Sequence, residues 1–78
     1  MAVMMMRSWL RRKIRKRAIV YTCDDHIYEG WLMDVAGDGI VLVDTRAQHD
    51  GGVELAGDCF VPKHNVRLVQ IVRSSRRA

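Results

Sequence analysis

The apolar positions change period once along the chain, near residue 17, and the change predicts two kinds of structure. In residues 3–16, Met6, Trp9, Leu10 and Ile14 fall at i, i+3, i+4 and i+8. That spacing lines one face of a helix, and arginines and lysines occupy the other faces. Met, Leu, Arg and Lys are also good helix formers. Such a stripe predicts a helix docked on an apolar surface, with Trp9 as a packing residue. Beyond residue 17 the pattern turns β-branched and aromatic. Residues 18–23 predict a first strand, and Asp24-Asp25 a turn, because short acidic side chains bond to nearby backbone. Residues 26–35 predict a second strand and Gly37-Asp38-Gly39 another turn. Residues 40–45 are the most strongly β segment, and 47–52 read as a loop. A fourth strand is expected over 53–61, irregular at Gly57-Asp58. Pro62-Lys63-His64-Asn65 forms a short connection, since proline cannot donate to a central ladder. Residues 66–72 predict a fifth strand.

Five short strands with tight turns predict a barrel, because closure removes exposed edges. Gly30, inside the second strand, fits that picture. An interior glycine weakens a strand unless a bend, bulge or close backbone approach needs it. Alternation then points Tyr28 inward with Leu32 and Trp31 outward, under the helix or at a subunit contact. The expected fold class is mainly β: an N-terminal α-helix over 1–17, a small five-stranded, strongly bent SH3-like β-barrel over 18–72, and a basic disordered tail over 73–78. With 78 residues there is room for one domain. A core of that size supplies only ~3–5 kcal/mol, so oligomerisation is the natural further source of stability.

Charge sharpens this picture. The net charge of +4 is unevenly spread. Residues 1–17 hold Arg7, Arg11, Arg12, Lys13, Arg15, Lys16 and Arg17 and no acid, and residues 73–78 add Arg73, Arg76 and Arg77. Between them lie only Arg46, Lys63 and Arg67 against nine acids. A basic head and tail around an acidic body predict a polyanion partner. Arg11, Arg12, Lys13, Arg15, Lys16 and Arg17 are the candidates for a nucleic-acid backbone. An acidic protein neighbour or an anionic membrane surface would use the same charges.

Other chemistries are not supported. No run approaches the ~20 apolar residues of a membrane span, and the apolar Met1-Ala2-Val3-Met4-Met5-Met6 precedes the charges instead of following them as in a signal peptide. A cytoplasmic location is expected. Cys23 and Cys59 form no CxxC pair and are expected to be reduced and buried. His26, His49 and His64 lack ligand spacing, so no metal or cofactor is expected. Asp24-Asp25-His26 reads as a solvated turn, not an acid–base site. There is no nucleophile elbow, phosphate-binding glycine loop or paired-carboxylate pattern, so no enzymatic activity is expected.

Tyr28, Gly30 and Leu32, then a turn, then Ile40-Val41-Leu42, resemble the first motif of the Sm-like (LSm) family, which includes the bacterial RNA chaperone Hfq. Val61-Pro62-Lys63-His64-Asn65-Val66 resembles the turn of its second motif, and Lys63-His64 is similar to the Lys-His pair of Hfq. The turn Ala36-Gly37-Asp38-Gly39 departs from the family by lacking its Met-Asn pair. The resemblance implies a divergent member, of bacterial or phage origin. It implies a hexameric or heptameric ring in which strand four of one subunit pairs with strand five of the next. It further implies non-enzymatic binding of RNA or single-stranded nucleic acid, with Lys63, His64 and Asn65 in a turn facing the ring's centre. Asn65 by itself reads first as a turn residue. The alternative is an assembly adaptor, for example in phage particles, that uses the same barrel and helix without specific RNA binding.

Overall fold

A computed structural model describes residues 8–73 of the chain. Met6, Arg7 and residues 74–78 lie outside that range, and so does most of the expected basic tail. The expected helix is much shorter within it: residues 8–11 are helical and 12–15 form turns. The cause is a competing ladder. Arg15 takes a left-handed backbone, φ 75°. Its N–H then donates to Leu32 O at 2.6 Å, and Leu32 N–H donates to Lys16 O at 2.9 Å. The chain thus leaves the helix to pair with the sheet.

Among the described residues six strands follow: β1 Arg17–Thr22, β2 Ile27–Ala36, β3 Gly39–Ala47, β4 Val53–Glu54, β5 Cys59–Pro62 and β6 Val66–Ile71. They form one sheet in the order β4-β3-β2-β1-β6, with β5 also paired to β3. All pairings are antiparallel. Gly37-Asp38 makes a two-residue turn, with Ala36 opposite Gly39. The register of β2 against β3 shifts between Glu29 and Trp31 and again between Leu32 and Asp34. Gly30 sits at the first shift. A Cβ there would lie 2.8 Å from both Thr45 Oγ1 and Val43 O, so the bend brings backbones too close for a side chain.

Two expectations about the strands are also corrected. The fourth strand over 53–61 is two strands, because Gly57 at φ 79° interrupts it. The barrel is bent but not closed: among the described residues β6 pairs only with β1, and β5 only with β3. The 3-10 turn Lys63–Asn65 carries the chain from one sheet edge to the other without joining them.

Leu10, Ala18, Val20, Leu32, Val35, Ile40, Leu42 and Val61 form the core. Leu10, 2% exposed, plugs the open sheet from the helical turn, and Ile14 packs beside it. Burying a leucine this fully contributes ~1.5–3 kcal/mol. Tyr28 packs inward and Trp31 faces out, as the alternation predicts. The cysteines are free, but Cys23 is exposed and Cys59 half-buried, against the expectation that both are buried. Cys23 directly follows β1 and takes the outward phase of the alternation that buries Ala18, Val20 and Thr22.

Candidate nucleic-acid interface

The end of the sheet where β1 begins carries a groove of about 850 Å³. The helical turn contributes Trp9 and Lys13, the link to β1 contributes Arg15 and Lys16, β1 contributes Arg17, and β2 contributes Trp31. The end of β6 closes it with Ile71, Val72 and Arg73. The β1–β2 register places Arg17 opposite Trp31. The Arg17 guanidinium lies 5.5 Å from the Trp31 ring centroid, and Lys13 Nζ lies 5.5 Å from that of Trp9. Such contacts hold an indole by its electron-rich face. Each tryptophan remains 39% exposed. Arg17 Nε also donates to Glu29 Oε2 at 2.9 Å, and Gln48 Nε2 donates to Glu29 Oε1 at 2.8 Å. Its charge is therefore engaged, while Lys13, Arg15, Lys16 and Arg73 have no carboxylate within ion-pair distance among the described residues.

The turn candidates lie elsewhere. Lys63 N–H donates to Asp38 O at 2.8 Å, which ties the turn to the β2–β3 hairpin. Cys23 N–H donates to Asn65 O at 2.9 Å, which ties it to the end of β1. Lys63 and His64 are exposed and Asn65 is half-buried. Of the influences that lower the Asp24 pKa, that of the Asn65 side chain is the smallest. All of β6, roughly 16 Å of strand, separates this turn from the groove. Of the basic candidates, Lys13, Arg15, Lys16 and Arg17 converge in the groove. Arg11 and Arg12 are exposed but do not line it.

One cluster is invisible in the sequence. His26 and His49 stack with centroids 4.1 Å apart and planes 6° from parallel. Tyr28 meets both edge-on. The β2–β3 register, Tyr28 opposite Ala47, brings the 3-10 turn Gln48–Asp50 over the start of β2. Ile27 N–H then donates to His49 Nδ1 at 3.1 Å. The Asp24 carboxyl, 3.6 Å from His26, is held below its ordinary pKa, first because the Thr22 hydroxyl donates to it. Burial pushes the Tyr28 phenol up. Among the described residues no three His, Cys, Asp or Glu side chains are placed to share a metal ion.

The chain matches no family profile and no curated protein sequence. Solved structures do resemble it. An Sm-like archaeal protein from Pyrobaculum aerophilum superposes with a TM-score of 0.76 at 16% identity, over 86% of this chain and 51% of that one. This chain thus spans about half that protein's length. A heptameric archaeal Sm protein gives 0.72 at 25% identity, over 85% of this chain and 98% of its own. The SmAP1 heptamer of P. aerophilum gives 0.73 at 25%, over 86% and 92%. With its capping helical turn and its sheet bent at Gly30, this chain has an Sm-like fold.

Proposed function

We propose that the chain assembles into a homo-oligomeric ring in the cytoplasm and binds RNA or other single-stranded nucleic acid without chemistry. The binding reading is carried by one observation, the convergence of Lys13, Arg15, Lys16 and Arg73 on one groove of an Sm-like fold. The ring reading rests on the two open edges. β5 and β6 each present an apolar side chain to solvent, Phe60 at 51% and Leu68 at 54% exposure. Pairing β5 of one copy with β6 of the next satisfies both edges, and a rotation that closes gives a ring. Two of the solved neighbours are heptamers, which favours seven copies over six. A ring repeats the groove on every subunit, and linked weak sites add avidity. Lys63 and His64 supply a second contact. No helix among the described residues is long and apolar enough to cross a membrane.

The test is a titration of a labelled single-stranded oligonucleotide at rising salt. The logarithm of affinity falls linearly with the logarithm of salt concentration. A flat response, or no binding at low salt, retires the reading. A second reading, an assembly adaptor that binds an acidic protein, is favoured by the tight Gly37-Asp38 turn, which lacks the family's Met-Asn pair. Truncating the basic segment would also remove Leu10 from the core, so charge reversal at Lys13 and Lys16 is the cleaner discriminator. Loss of oligonucleotide binding with the oligomer intact supports the first reading; loss of assembly with a partner alone supports the second.

A further inference from the structure

We propose that the groove is a base-stacking site: two unpaired nucleotides lay their bases on the open faces of Trp9 and Trp31, and the phosphates meet Lys13, Lys16 and Arg73. The proposal rests on the nucleic-acid reading above and says which groups of the ligand the groove takes. Charge alone would serve an acidic peptide, an anionic lipid headgroup or a nucleic-acid backbone equally well. The indoles separate these. Both are large flat surfaces, and each is still 39% exposed. Each is held by a cation 5.5 Å away, so its orientation is set before a ligand arrives. A polyglutamate peptide or a phospholipid headgroup has no aromatic ring to lay on such surfaces, whereas every base has a π-face.

The electrostatics agree with the assignment. Among the described residues the groove is lined by five cationic side chains and no acid. Arg17 is bound to Glu29 and acts as a positioning residue beneath Trp31, not as a phosphate contact. Four cations remain to neutralise the ligand. At about 850 Å³ the groove falls within the ~300–1,000 Å³ of sites that enclose small ligands. That volume suits a short piece of strand and leaves the rest of a longer strand outside. A duplex is refused, because its bases are already stacked on each other.

The chain's two tryptophans are both in the groove, so intrinsic fluorescence reports this site and not the Lys63-His64 turn. The intact protein is titrated with an oligodeoxythymidine strand of about 12 nucleotides, with a duplex of equal length, with a polyglutamate peptide and with anionic phosphatidylserine vesicles. The single strand is expected to quench the emission strongly, and the other three only weakly. Trp31→Leu lowers single-strand affinity ~10-fold with an unchanged salt slope, and Trp31→Phe restores most of it. Lys16→Gln reduces the salt slope by about one. Trp31 lies outside the core, so its replacement leaves the fold intact. Binding seen by anisotropy without quenching, or undiminished in Trp31→Leu, overturns the stacking site while the broader reading survives. Equal quenching by peptide or vesicles also overturns it. Absence of any binding at low salt overturns both.

Discussion

Thr45 and Gly30 face each other at a close approach of two strands, where single atoms bear on stability. Thr45 is 1% exposed, and its Oγ1 has no hydrogen-bond partner among the described residues. Replacing Thr45 with Val keeps the shape and removes the orphaned hydroxyl, so it should stabilise the fold by about 1 kcal/mol. Gly30→Ala pushes a methyl against that hydroxyl and the Val43 carbonyl and should cost ~1–3 kcal/mol. Urea midpoints measure both, and a stabilised Gly30→Ala would refute the close approach. Asp24 sets a pH dependence. Its carboxyl titrates below its ordinary value of 3.8, chiefly through the Thr22 hydroxyl. A lowered folded pKa means that the contribution is complete above roughly pH 4 and is lost as pH falls through the folded value. Asp24→Asn should therefore flatten the acid limb of a stability–pH curve, and an unaltered limb would remove Asp24 from the account. Gly30 as a point of close approach was legible in the sequence, because strand glycines have few other uses. The histidine stack was not, because nothing local says that His49 will lie over Ile27.

At the scale of elements, the turns were legible because their residues carry the turn chemistry themselves. Asp24-Asp25 and Gly37-Asp38 fall where the pattern places them. The two misreadings at this scale have different causes, a long-range pairing for the helix and a local backbone break for the strand. The helical stripe through Ile14 is real, and Leu10 and Ile14 do pack against the core. Leu32 nevertheless captures the backbone at Arg15 and Lys16 and ends the helix early. Residues 53–61 read as one strand irregular at Gly57-Asp58, and the left-handed Gly57 divides them there into two. The groove was half legible. Its cations stand out in composition, and Trp31 reads as outward-facing. That Trp9 would join Trp31 there instead of packing inward depends on where the helix stops. The capping turn gives a prediction of its own. A non-glycine residue in the left-handed region costs ~1–2 kcal/mol. Arg15→Gly should relieve that strain and raise the melting temperature even as it removes a groove charge. A lower melting temperature would show that the Arg15 side chain contributes more than its backbone costs.

At the scale of the whole molecule, the two open edges govern behaviour. Light scattering should give a multiple of the 9.0 kDa chain mass, with seven copies expected from the heptameric neighbours. Phe60→Lys or Leu68→Glu places a charge on one mating edge and should return the 9.0 kDa species with the sheet's circular dichroism retained. A 9.0 kDa mass for the unaltered protein would end the ring proposal. The division at Gly57 has a geometric consequence for any such assembly. It leaves a neighbour only the four residues Cys59–Pro62 to grip, and Pro62 has no N–H. A slip of one residue would set Phe60 against the wrong face of the neighbour's strand, and a slip of two would forfeit half the contact. So short an edge works like a key with few teeth: it fits at one setting or not at all. The angle between adjacent copies, and with it their number, is then set by a handful of backbone atoms and not averaged along a long seam.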